Sequence, residues 1–213
     1  MPDAVICGYA RTPFGRFRGA LSSYSAVELG VRAVEELLRR TGIDPSGGEI
    51  DQVYMGQVLQ AGAGQAPARQ VALGCGMPNS TSCTTINKVC GSSLKAVMIA
   101  ASEIRAGVSE LVVAGGMESM SNAPRFIREA RRGEDVPFKS LLSILSHDGL
   151  TDAFSGELMG NTGETCALEY GISREESDAY SLRSHKLSAK GWENGGIENE
   201  CVSMEELSID EGI

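Results

Sequence analysis

Apolar and polar positions along this chain switch between two periods. Ala4-Val5-Ile6-Cys7-Gly8 is a short continuous apolar run that predicts a buried strand, and a loop rich in Gly, Arg and Phe follows it from Arg11 to Gly19. From Ser25 the period becomes helical. Val27, Val31, Val34, Leu37 and Leu38 share a face, Ser25 and Glu28 have the spacing of a capping box, and Arg39-Arg40 ahead of Gly42 closes the segment. Asp51 to Met55 predicts a second strand; the loop 56–64 then leads into a helix over about residues 66–73. Arg69 on that helix is a candidate for an ion pair or a subunit contact. Ser82 to Lys88 predicts a third strand. In the helix after it, Leu94, Val97, Met98, Ala101 and Ile104 recur at helical spacing and predict a core-facing stripe that Gly107 ends. Leu111 to Ala114 is again a continuous apolar strand, of the kind covered on both faces.

Strands alternating with helices of this length imply an α/β layer structure. Beyond Gly115-Gly116 the pattern turns irregular as far as Leu150, with a basic cluster at Arg125, Arg128, Arg131 and Arg132. Cations there suit an anionic ligand, although a solvated face offset by Glu129 is the simpler reading. Two further helices are predicted at about 161–170 and 173–190, the second opened by a capping box at Ser173 and Glu176, before a turn at Asn194-Gly195-Gly196. Met117 and Met120 read as core packing.

Charge divides the chain where the pattern does. Residues 1–120 carry 10 basic and 10 acidic side chains and residues 121–213 carry 9 and 18, so the whole net charge of −9 lies in the second part. A boundary near residue 120 follows, giving segments 1–120 and 121–213. Duplex binding needs a basic face, so a nucleic-acid partner is not expected. No apolar run approaches the roughly 18 to 20 residues that span a bilayer, and no basic-then-apolar leader opens the chain, so a cytoplasmic protein without a membrane partner is expected. The six cysteines (Cys7, Cys75, Cys83, Cys90, Cys166, Cys201) show no paired spacing and read as free, mostly buried thiols. With two histidines, His147 and His185, and no His/Cys clustering, no metal site is expected.

One cysteine stands apart. In Asn87-Lys-Val-Cys-Gly-Ser-Ser-Leu-Lys-Ala96 the β-branched run Thr84-Thr85-Ile86 gives way through Cys-Gly-Ser-Ser to a helical pattern. Cys90 therefore falls between a strand and a helix start, beside unpaired backbone N–H groups and the positive end of a helix dipole, an environment that favours a thiolate nucleophile.

That stretch, together with Met55-Gly-Gln-Val-Leu-Gln-Ala-Gly-Ala-Gly-Gln-Ala-Pro-Ala-Arg-Gln70 and Gly115-Gly-Met-Glu-Ser-Met-Ser-Asn-Ala-Pro124, resembles the thiolase family of coenzyme A-dependent acyltransferases. Asp148-Gly-Leu-Thr-Asp-Ala-Phe154 and Ile172-Ser-Arg-Glu-Glu-Ser-Asp-Ala179 extend the likeness over nearly the whole chain. The resemblance implies a thiolase-like N-terminal α/β half, a mixed sheet covered by helices, followed by a mostly helical, irregular loop domain. It assigns Cys90 as the nucleophile that carries the acyl group, with its own N–H as an oxyanion donor, and Leu150 and Met159 as residues lining the pantetheine channel. The implied reaction is acetyl-CoA C-acetyltransfer, two acetyl-CoA giving acetoacetyl-CoA and CoA. A 3-ketoacyl-CoA thiolase of fatty-acid degradation is the alternative; a carrier-protein synthase fits the Gly-Gly-Met-Glu-Ser-Met run less well. Coenzyme A thioesters enter as substrates, no tightly bound cofactor is implied, and a homo-oligomer, dimer or tetramer, is the implied partner, with Arg69 and the edge strand before Cys90 at the contact.

Departures from the family pattern bear on activity. Leu158 stands where many thiolases have histidine, and Gly163 where alanine is usual. The second-half Asn-Glu-Ala, Gly-His-Pro and Cys-x-Gly stretches do not occur; neither histidine precedes a proline, and no cysteine has glycine two positions on. His147 and His185 are accordingly expected to be surface or helix residues. The second α/β half is absent, and the reading is of a truncated chain, nearly inactive in condensation and able at most to be acylated at Cys90. A non-catalytic fragment is the reading from a different class.

Overall fold

The computed structural model describes residues 3–127 and 137–212. Three parallel strands form the sheet, β1 (Gln52–Gly56), β2 (Ser82–Ile86) and β3 (Val112–Gly116), in the order β2-β1-β3. Gln52 stands beside Ser82 on one side and Val112 on the other. Side chains alternate across the sheet with period two. Val53, Met55 and Val113 point into a core shared with α1 (Ala26–Thr41) and α2 (Pro67–Gly74). Tyr54, with Ile86, Val112 and Ala114, meets Ala96 and Ala100 of α3 (Ser92–Ala106) on the opposite face. The result is a helix, sheet, helix layering, with α1 and α2 on one side of the sheet and α3 on the other.

Local signals set the helix ends. Ser25 and Glu28 exchange both hydrogen bonds of the capping box, and Gly42 closes α1 in the left-handed conformation at φ 70°. Gly107 closes α3 in the same way. Ser173 and Glu176 repeat the box at the head of α5 (Arg174–Glu193), which follows α4 (Met159–Tyr170). Between β3 and α4 lie short pieces, including the two-residue ribbon of β4 (Arg125–Phe126) and β5 (Leu142–Ser143).

Two predicted elements differ. Residues 4–8 form no strand: Val5 and Ile6 are 71% and 81% exposed. An apolar run becomes a strand only when a ladder takes up its N–H and C=O groups, and none does so among the described residues. The stripe predicted to face the core on α3 lies outward, with Leu94 65% exposed and Met98 52% exposed. The face against the sheet is instead Ser92, Ala96 and Ala100. Small side chains there let the helix approach the sheet closely, and the longer ones are left on the far side.

Other expectations shift in detail. Only Cys75 and Cys201 are buried, with Cys83 half-buried and Cys7, Cys90 and Cys166 exposed; all six are free. Burial pushes the Cys75 thiol up to about 12. Arg69 makes no ion pair among the described residues; its guanidinium donates to the carbonyl oxygens of Thr81 and Asn79. Met117 is core, whereas Met120 is exposed. Arg128, Glu129, Arg131 and Arg132 lie outside the described residues, and Arg125 stacks its guanidinium over Phe138 at 5.1 Å.

An acidic tail straps the first loop. Arg11 binds Asp210 through two bonds, Nη1 to Oδ1 at 2.7 Å and Nη2 to Oδ2 at 3.0 Å, and reaches Glu200 with Nε at 3.0 Å. Asp210 also accepts from the Phe14 N–H and from Trp192 Nε1. The seven acidic residues after residue 192 thus include the partners of Arg11.

Candidate active site

Cys90 sits on the turn between β2 and α3, and the turn is strained. Val89, immediately before it, has φ 48°, a left-handed conformation that a β-branched residue rarely adopts. What holds it there is Ser92. Its hydroxyl accepts from the Lys88 N–H at 2.8 Å and donates to the Val89 carbonyl at 2.6 Å, while Asn87 Oδ1 accepts from the Val89 N–H at 3.0 Å. The N–H groups of Gly91 and Ser92 turn back to the carbonyls of Lys88 and Val89. The Cys90 N–H is spent on none of these bonds. The thiol is exposed at the head of a 15-residue helix, where the dipole presents partial positive charge.

Two glycines let the helix start this close to the strand ends. A Cβ on Gly56 would stand 2.6 Å from backbone atoms of Ser92 and Ser93, and one on Gly116 would stand 2.7 Å from Ser93 Cβ. Any larger residue at the ends of β1 or β3 would push the first turn of α3, and Cys90 with it, off the sheet.

A pocket of about 360 Å³ opens beside the thiol. Its walls are largely apolar, from Val58 and Leu59 after β1, Met117 and Met120 after β3, and Leu145 and Leu150 from the later segment. Leu150 is therefore brought to the cysteine. Met159 is not among the lining residues; its N–H donates to the Leu150 carbonyl at 2.9 Å, one shell away. His185 is exposed on α5, and His147 contacts Asp148 and packs edge-on to Phe126. Neither lines the pocket.

Sequence reasoning passed over Glu118. Its carboxylate accepts the Val58 N–H at 2.8 Å and the Leu59 N–H at 3.3 Å, and it lines the pocket. Burial raises its pKa, outweighing the two N–H groups that favour the charged form. An acidic residue one position beyond an apolar strand, two glycines and a buried methionine was the available signal. A larger cleft, about 530 Å³, lies between the open edge of β3 and the loop that carries Arg11, but Cys90 does not line it. Among the described residues no group of His, Cys, Asp or Glu could hold a metal ion, and no helix is long and apolar enough to cross a membrane.

The arrangement is an exposed thiol at a helix N-terminus next to a pocket with largely apolar walls. The sequence model of the thiolase N-terminal domain matches residues 4–211. Acetyl-CoA acetyltransferase 2 of Arabidopsis thaliana is 47% identical over 203 residues, 95% of this chain and 50% of that protein. A probable acetyl-CoA acetyltransferase of Escherichia coli is 48% identical over 204 residues, 96% of this chain and 51% of that one. The crystal structure of Acat5 thiolase from Ascaris suum in complex with coenzyme A superposes with a TM-score of 0.89 at 38% identity, over 99% of this chain and 55% of that chain. The chain thus spans about half the length of the relatives it matches.

Proposed function

This chain belongs to the thiolase family, and from that we propose that it supplies the nucleophile-bearing half of an acetyl-CoA acetyltransferase, with Cys90 the residue that is acylated. The observation that carries the reading is the Cys90 turn itself: a thiol held by a strained residue at a helix head, opening on a pocket of which Leu150 is a wall. The Cys90 thiolate attacks the thioester carbonyl, the C–S bond to CoA breaks, and the products are acetyl-Cys90 and the CoA thiolate. Negative charge on the carbonyl oxygen in the transition state is met by the Cys90 N–H and the dipole of α3. Relatives that bear the name acetyl-CoA acetyltransferase, and a related thiolase crystallised with coenzyme A, support coenzyme A thioesters as the substrates.

Acylation is the step we assign to these residues; the motifs that the family resemblance assigns to proton transfer are not among these 213 positions. We divide the chain near residue 120, since the sheet and its three helices precede that point. A homo-oligomer paired through the exposed edge of β2 is the assembly we favour, because β2 ends the sheet and is only partly covered.

Mass spectrometry after incubation with acetyl-CoA tests the reading. One acetyl group on Cys90, absent from Cys90→Ala, is the expected result. No adduct on the wild-type chain overturns it.

A further inference from the structure

We propose that Glu118 is a positioning residue for the Cys90 pocket, acting through a relay of hydrogen bonds that starts at its carboxylate and ends at the nucleophile turn. This deepens the acyl-transfer reading and rests on it. The relay is continuous. Glu118 takes the N–H groups of Val58 and Leu59; the Val58 carbonyl in turn accepts from Asn87 Nδ2 at 3.5 Å; and Asn87 Oδ1 accepts from the N–H of Val89, the residue before Cys90. Val58 and Leu59 are two walls of the pocket, and Glu118 is a third. One side chain therefore fixes the side of the pocket facing the thiol and also bears on the turn that carries it.

The choice of a carboxylate has a cost that points the same way. Glu118 is half-buried, makes no salt bridge among the described residues, and is penalised by desolvation. A neutral amide in its place has one accepting oxygen, and its NH₂ group would face an N–H donor. The Leu59 N–H lies between the two carboxylate oxygens, 3.3 Å from Oε1 and 3.4 Å from Oε2, and hydrogen bonds to a charged acceptor are the stronger kind. The charge thus holds a loop that has no strand or helix of its own at the point where a thioester must lie against Cys90. An acyl group displaced by about 1 Å from its attack geometry loses about 100-fold in rate.

The test compares two reagents at one thiol in Glu118→Ala, Glu118→Gln and wild type. Iodoacetamide needs the sulfur alone, and acetyl-CoA needs the pocket wall as well. Acetylation of Cys90 is expected to fall about 10- to 100-fold in E118A and by less in E118Q, while alkylation stays within about threefold and cooperative melting persists. Amide hydrogen exchange at Val58 and Leu59 is expected to quicken at least about tenfold in E118A, a readout that needs no coenzyme. Equal losses in both reactions, or unchanged exchange at Val58 and Leu59, would overturn the proposal. If the wild-type chain takes no acetyl group, the acyl-transfer reading fails by itself, and exchange at Val58 and Leu59 then decides the positioning role in either direction.

Discussion

The hydroxyl of Ser92 donates to the carbonyl of Val89 at 2.6 Å, across the turn that bears Cys90. Because the same oxygen also receives the Lys88 N–H, one buried side chain satisfies two backbone groups and holds a left-handed valine in place. Ser92→Ala leaves the Lys88 N–H without that partner and the Val89 carbonyl with the Ser92 N–H alone, at about 1–3 kcal/mol for a donor shielded from water. The expected outcome is a loss of stability in that range in urea denaturation, with slower alkylation of Cys90 by iodoacetamide. Unchanged alkylation would mean that the turn keeps its shape without Ser92.

Val89→Gly removes strain at φ 48° but adds freedom to the unfolded chain. A residue in this region costs about 1–3 kcal/mol, whereas an added glycine costs about 0.5–1 kcal/mol. Since the valine side chain is half exposed, little packing is lost. A net gain of up to about 2 kcal/mol is expected by urea denaturation. A net loss would show that Val89 contributes contacts outweighing its strain.

One substitution should have opposite signs at two glycines. In α4, Gly163 has open space at the position of a Cβ and a φ outside the left-handed region, so Gly163→Ala should stabilise by about 0.5–1 kcal/mol. At Gly56 the added methyl meets backbone of α3 at 2.6 Å and cannot be accommodated by a rotamer change. Gly56→Ala should destabilise by about 1–3 kcal/mol and slow Cys90 alkylation. Paired thermal melts of the two variants test both signs.

These sites also show what the sequence makes legible. The capping boxes at Ser25 and Ser173, the closing glycines 42 and 107 and the strand-to-helix junction at Cys90 depend on neighbours within four residues, so their signals are local. Leu94 and Met98 were misplaced because a helix with apolar residues on two faces does not state which face meets the sheet. Ala96 and Ala100 win by allowing close approach. Val5 and Ile6 have strand composition, but pairing requires a neighbour that local pattern does not supply. Glu118 went unseen because its role lies in two backbone N–H groups about 60 residues earlier in the chain.

Acid should release the tail strap. Burial alone would raise the pKa of Asp210, but hydrogen bonds from Arg11, the Phe14 N–H and Trp192 hold it below its ordinary value. A carboxylate whose folded pKa is depressed contributes stability that is present above its unfolded value, about 3.9, and is lost as pH falls through the folded one. Asp210→Asn keeps the shape and one acceptor but gives up the charge that faces Arg11. At about pH 7 the variant should be less stable than wild type by about 1–3 kcal/mol, and the gap should close progressively below about pH 4. Glu36, held at about 2 by hydrogen bonds from Arg39 and Arg40, is lost over the same acid range, so the difference between the two proteins isolates the strap where the wild-type curve alone does not. Urea denaturation of both proteins at several pH values provides the measurement. A gap that stays constant down to about pH 2 would show that Asp210 holds the tail by shape and not by charge.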